Sequence, residues 1–161
     1  MKAVVYVAAM MLAATTALAQ TTEKMPAKPA TMDAASNQLM EREKAMLASI
    51  EKKDWAGFKK YVRPGTWSVD QAGYMSIDDF LKMAQDPKNA LTISMTPSDM
   101  KVVDVNATTK IVTYKLDQKG SFMGEAFPPV VYASTVWSNS GGTWTAVFHQ
   151  ESTAAPQQPK K

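Results

Sequence analysis

The sequence predicts an α+β fold in which helices pack on one face of an antiparallel meander. Three observations predict it. The first half of the chain carries helical periodicity, the register changes to strand-like alternation after Pro87, and clusters of turn-forming residues separate the alternating segments.

The first element is "DAASNQLMEREKAMLASIEKK", residues 33–53. At a helical advance of about 100° per residue, Leu39, Met40, Met46, Leu47 and Ile50 fall within an arc of roughly 120°. Glu41, Arg42, Lys44, Glu51 and Lys52 occupy the opposite face. Glu43 breaks the pattern, because it projects into the middle of the apolar arc. A buried carboxylate is costly unless it is paired, hydrogen-bonded or neutralised. Glu43 is therefore expected to have a partner inside the protein or to stay protonated.

Asp54 caps a second, short helix in "WAGFKKYV", with Trp55, Phe58 and Val62 on one face and Pro64-Gly65 ending it. "TWSVD" alternates like a strand, and "QAG" turns the chain back. Ser76 and Asp79 form a capping signature for a third helix, "IDDFLKMAQ", which stops before Pro87. Beyond it, "ALTISMTP", "DMKVVDV", "KIVTYKLDQ", "PVVYASTVWS" and "TWTAVFHQES" read as strands, with turns at "NATT", "KGSFMGEAF" and "NSGG".

The ends of the chain read differently. Met1-Lys2, the apolar run "AVVYVAAMMLAA" and the small-residue pattern Ala17-Leu18-Ala19 predict a signal peptide over residues 1–19, and hence a periplasmic or secreted protein. Residues 20–31 read as a disordered linker and residues 154–161 as a disordered tail, which leaves a folded body over residues 32–153. The chain has no cysteine. That excludes a disulfide framework, a thiolate nucleophile and a cysteine-ligated metal, and it removes the residue a lipid anchor would need. The formal charge is +3, with acidic and basic residues interleaved and no basic stripe carrying aromatics between the charges. Nucleic acid is therefore not an expected partner.

Three motifs follow one another along the body. "ASIEKKDWAGFKKYV" is a helix ending in a polar pair and Asp54, and "DQAGYMSIDDFL" is a turn leading into a Ser-capped helix. The last hairpin, residues 132–150, has the form Y-x-S-T-V-W…G-x-W-x-x-x-F-H-Q. In this order they resemble the nuclear transport factor 2-like superfamily, above all its SnoaL-like and ketosteroid-isomerase-like secreted branch of unknown function. Lys53 stands where the first motif usually has glycine. The resemblance implies a cone-shaped, curved antiparallel sheet with the long N-terminal helix and two short helices packed on its concave side. It also implies a cavity lined by alternate strand residues, which many members use as a small-molecule pocket, some for catalysis and others mainly to dimerise.

The residues that could carry chemistry are few. Glu43 matches a carboxylate common in this branch, either hydrogen-bonded structurally or serving as a pocket acid or base. His149 is the only histidine. Strict alternation puts Val147, His149 and Glu151 on one face of the last strand and Trp144, Ala146, Phe148 and Gln150 on the other. The second set is the more apolar. If it faces the cone, His149 points outward and is structural, although the sequence leaves that register open. A ketosteroid-isomerase chemistry needs a carboxylate base and an acidic donor facing one enolate oxygen. Tyr74, Tyr114 and Tyr132 could donate, and Asp70, Asp104 and Glu125 could accept, but no spacing demands such a pair. The catalytic candidates are thus Glu43, His149 and Asp70, and the ligand-binding candidates are Glu43, Trp55, Trp67, Tyr114, Tyr132 and Trp137.

No metal and no cofactor are expected, since one histidine and no cysteine make no ordinary zinc site. The methionines read as core filler. The sequence points to a secreted domain that binds a small apolar or aromatic ligand or acts as an interaction module. It is expected to dimerise through its sheet, because "KIVTYKL" and "VVYASTVW" carry apolar or β-branched residues on both faces. The alternative is an isomerase-, dehydratase- or cyclase-type enzyme using the same cavity. An enzyme needs at least two polar ionisable groups converging on the pocket floor; a binder does not.

Overall fold

Among the described residues, the helical periodicity and the later alternation become three helices and seven strands. The structure is a computed structural model that describes residues 34–155. The expected signal peptide and linker, and the tail beyond residue 155, lie outside the described residues.

Helix α1 spans Ala34–Glu51 and buries Leu39, Glu43, Met46 and Leu47. Lys53, at φ 55°, turns the chain into α2, Trp55–Phe58, where Asp54 accepts from the Gly57 amide. This helix is shorter than its pattern predicts, because Val62 already belongs to strand β1, Val62–Asp70. Strand β2, Gly73–Ser76, returns from a turn closed by Asp70 Oδ1 on the Ala72 and Gly73 amides. Helix α3, Ile77–Gln85, starts at the Ser76 cap as its sequence predicts.

The two segments after Pro87 form one strand, β3, Leu91–Asn106, bent by an extra residue between Ser98 and Lys101 where Asp99 has a positive φ of 52°. Strand β4 is Thr109–Phe122, and the short β5, Glu125–Ala126, folds back on it. Gly120 has φ 131°, and a Cβ there would collide with the Thr92 carbonyl of β3. Only glycine fits that approach. Strands β6, Val130–Ser140, and β7, Thr143–Thr153, form the last hairpin.

The sheet order is β2-β1-β7-β6-β4-β3. The sheet is curved and unclosed, and α1 lies across its inner face against β3 and β4. One pairing departs from the expected antiparallel order: β1 runs parallel to β7. No hairpin ties these two strands, which are far apart in the chain, so no tight turn forces them to be antiparallel. The core between helix and sheet holds Leu39, Leu47, Val112, Leu116, Val131 and Trp137, all buried.

Candidate functional site

The inner wall is set by strand parity. Val112, Tyr114, Leu116 and Gln118 of β4 are buried under the helix, as are Val131, Ala133, Thr135 and Trp137 of β6. Three of these, Tyr114, Thr135 and Trp137, donate to the carboxylate that interrupts the apolar arc of α1. Glu43 is fully buried. Its Oε1 accepts from the Tyr114 hydroxyl at 2.8 Å and the Thr135 hydroxyl at 2.7 Å, and its Oε2 accepts from Trp137 Nε1 at 2.7 Å. Arg42, the next residue, lays its guanidinium over the Tyr61 and Trp137 rings at 5.3 and 5.7 Å and donates to the Trp144 carbonyl.

His149 joins this group from β7, against the expectation of strict alternation. The reason is a β-bulge. Trp137 pairs with Ala146 and Val136 with Phe148, so Val147 is an extra residue in β7. The bulge inverts the parity beyond it. Trp144 and Ala146 face inward before the bulge; His149 and Glu151 face inward after it, and Phe148 turns out to solvent. The Thr135 hydroxyl is 2.9 Å from His149 Nδ1, and His149 Nε2 is 3.3 Å from Glu151 Oε1.

These groups border a cavity of about 230 Å³ between α1, α3 and the sheet. Most of its lining is apolar, including Met46, Leu47, Phe80, Leu91, Phe122 and Val131. Thr135, His149 and Glu151 form a polar wall, with Ser68 and the exposed Asp70 beside them on β1. Elsewhere in the lining, Gln118 is buried and its side-chain Nε2 has no partner in the protein. Among the described residues no three imidazole or carboxylate groups converge closely enough to hold a metal ion.

The electrostatics follow from this geometry. Burial raises the Glu43 pKa above its ordinary value, although the His149 cation and the three donors pull the other way. Burial and the neighbouring Glu43 push the Tyr114 phenol well above its usual value, so it remains a donor. For His149, burial opposes the charged ring, but Glu151, Glu43 and Asp70 together outweigh it and its pKa is raised.

The sequence candidates therefore separate. Glu43 and His149 are brought together. Tyr114 and Trp137 stand behind the cavity and hold Glu43. Asp70 reaches the lining, but its Oδ1 is engaged in the β1–β2 turn. Trp55 is not in the lining and meets Phe80 edge-on at 6.0 Å. Trp67 and Tyr132 are corrections: they lie on the outer face, 50% and 57% exposed, because their strand positions have the outward parity. Tyr74, Asp104 and Glu125 are also exposed and away from the cavity. Thr135, Glu151 and Gln118 were not singled out by sequence. Thr135 and Gln118 had one signal, a polar residue on an otherwise apolar strand parity.

No protein-family model matches the chain, and no curated protein does. Solved structures do. An NTF2-like protein from Cytophaga hutchinsonii superposes with a TM-score of 0.67 at 18% identity, covering 76% of this chain and 100% of that one. An NTF2-like protein of unknown function in nutrient uptake from Rhodospirillum rubrum gives 0.65 at 19% identity, covering 73% and 98%. The CamKII hub homology domain of Chlamydamonas reinhardtii gives 0.61 at 15% identity, covering 76% and 100%. The chain thus has the nuclear transport factor 2-like fold, as its motifs imply.

Proposed function

We propose that the cavity binds a small, mainly apolar molecule carrying one polar group, which is held at the wall formed by Thr135, His149 and Glu151. One observation carries this reading: a mainly apolar cavity of about 230 Å³ has its ionisable groups, His149, Glu151 and Asp70, gathered on the adjacent strands β7 and β1. That volume suits a molecule of roughly a dozen non-hydrogen atoms, below the usual range for drug-sized ligands. Calorimetric titration with phenol, indole and similar neutral aromatics tests it. Saturable binding that is lost in Ile93→Trp, which fills the cavity, is expected. Equal binding by the filled variant, or none by any compound of the panel, would overturn it.

A second reading is favoured by a specific observation. His149 and Glu151 are two ionisable groups converging on the cavity, which a binder does not require and a proton-transferring isomerase or dehydratase does. Turnover that disappears in His149→Gln while ligand binding persists would select this reading over the first.

Two further proposals concern setting. Export from the cytoplasm rests on residues 1–19 alone, and N-terminal sequencing of the mature protein tests it. No described helix is long and apolar enough to cross a membrane. Self-association rests on the outer face of the sheet. Trp67, Phe148, Val136, Ile111 and Val103 are successive cross-strand partners, so one apolar row crosses five strands.

A further inference from the structure

Thr135 is the only hydrogen-bonded link between Glu43 and His149 among the described residues, and a hydroxyl has a single proton to give. If that proton goes to Glu43, the oxygen must accept from His149, and Nδ1 must carry a hydrogen. If it goes to Nδ1, then Glu43 must itself be protonated and donate to Thr135. The protonation of a buried carboxylate and the tautomer of a cavity-facing imidazole are thus one variable.

The surroundings decide between the two arrangements. Trp137 Nε1 can only donate, so Glu43 Oε2 cannot carry a proton toward it. Oε1 already receives two donors, and protonating it would require Tyr114 or Thr135 to turn about. The ionised carboxylate satisfies all three donors at once. The other groups facing the ring are Glu151 from β7 and Asp70 from β1; Arg42 of α1 lies beyond, over the Trp137 ring.

We propose that Glu43 and Thr135 are positioning residues that hold a proton on His149 Nδ1, so that Nε2 is the atom through which the ring exchanges protons with the cavity. In the doubly protonated ring, Nε2–H donates to Glu151 or to a bound acceptor. When that proton leaves, the Nε2 lone pair faces the cavity and the ring is a base. If Nε2 then takes a proton from a ligand, the Nδ1 proton can pass to the Thr135 oxygen while the hydroxyl proton passes to Glu43. One proton has moved from ligand to Glu43, and the ring is again neutral. The assignment does not depend on the identity of any ligand.

Nitrogen NMR of the isotope-labelled, tag-free chain reads the tautomer directly, and with one histidine in the sequence the imidazole signals need no assignment. Above the ring's titration, the wild-type imidazole is expected as the Nδ1–H tautomer, the minor form of free histidine. Thr135→Val, which removes the hydroxyl, should convert it to Nε2–H, and Thr135→Ser should restore Nδ1–H. Glu43→Gln supplies an independent arm. Trp137 can only donate, so the amide oxygen must face it and the amide nitrogen must donate to Thr135. The hydroxyl then donates to Nδ1, and the ring should again switch to Nε2–H. A wild-type ring that is Nε2–H, or a Glu43→Gln or Thr135→Val ring that stays Nδ1–H, overturns the proposal. Should Thr135→Val not fold, the wild-type and Glu43→Gln spectra decide alone.

Discussion

Glu43 and Trp137 are 94 positions apart in the chain, and the Trp137 indole donates to the Glu43 carboxylate across 2.7 Å. The bond joins the middle of α1 to the last buried inward position of β6, within the core between helix and sheet. Because the indole can donate but never accept, it fixes which side chains residue 43 can be. An acceptor must stand there.

The first prediction follows from that constraint. Glu43→Ala leaves the Tyr114, Thr135 and Trp137 donors without their shared acceptor in a site closed to water. The cost of such unsatisfied groups is about 1–3 kcal/mol, which should lower the melting temperature by roughly 3–12 °C in a domain of this size. Glu43→Gln should fare much better. Its oxygen can serve Trp137, and the two hydroxyls can turn to accept from its amide. His149→Ala, at a partly exposed position, should also cost less than Glu43→Ala. Thermal melts of the three variants check the order; an equal loss for Ala and Gln at residue 43 would contradict it.

The second prediction concerns pH. The folded-state pKa of His149 is raised above its ordinary 6.5, so the folded protein holds the ring's proton more tightly than the unfolded chain does. The stability this contributes is fully present below pH 6.5 and is lost as pH rises through the raised value. Denaturant midpoints of wild type and His149→Gln, compared between about pH 5 and pH 9, should therefore differ most on the acid side and converge on the alkaline side. Glu43, whose pKa burial also raises, is common to both proteins. A gap that widens with pH would show the sign to be wrong.

Much of this was legible in the sequence, and the failures have physical causes. Glu43 was visible as a defect: a carboxylate within an apolar helical arc has to find donors, and it found three. Helix α3 was readable from its Ser76 cap to its end. The inward face of His149 was not, because one extra residue, Val147, inverts the parity of everything after it, and nothing in "TAVFHQ" announces a bulge. The outward face of Tyr132 is legible in the sequence. It has the opposite parity to Trp137 on a regular stretch of β6, so the two could not both face the cavity. The first half of strand β1 is not legible, since Pro64-Gly65 signal a helix end equally well as an irregular strand, and the register shift between Val62 and Trp67 accommodates them.

The last prediction tests the outer face. Trp67 is 50% exposed, Phe148 36% and Val103 49%, and the half-buried Val136 and Ile111 lie between them in the same cross-strand row. A sheet covered on one side by helices normally turns polar residues to the other. Here the row is apolar on five adjacent strands, and a second copy meeting it about a two-fold axis would bury the same residues twice. The expected state is a dimer at micromolar concentration by analytical ultracentrifugation. Phe148→Glu places a charge at an inner position of the row, and Val136→Glu places another beside it across the β6–β7 pair. Each should weaken association by about tenfold or more, as expected for a charge introduced at the centre of an apolar contact. The cavity lies on the opposite face, so ligand binding should survive both changes. A wild-type protein that sediments as a monomer, or a Phe148→Glu variant that dimerises unchanged, would remove the outer face as the site of self-association.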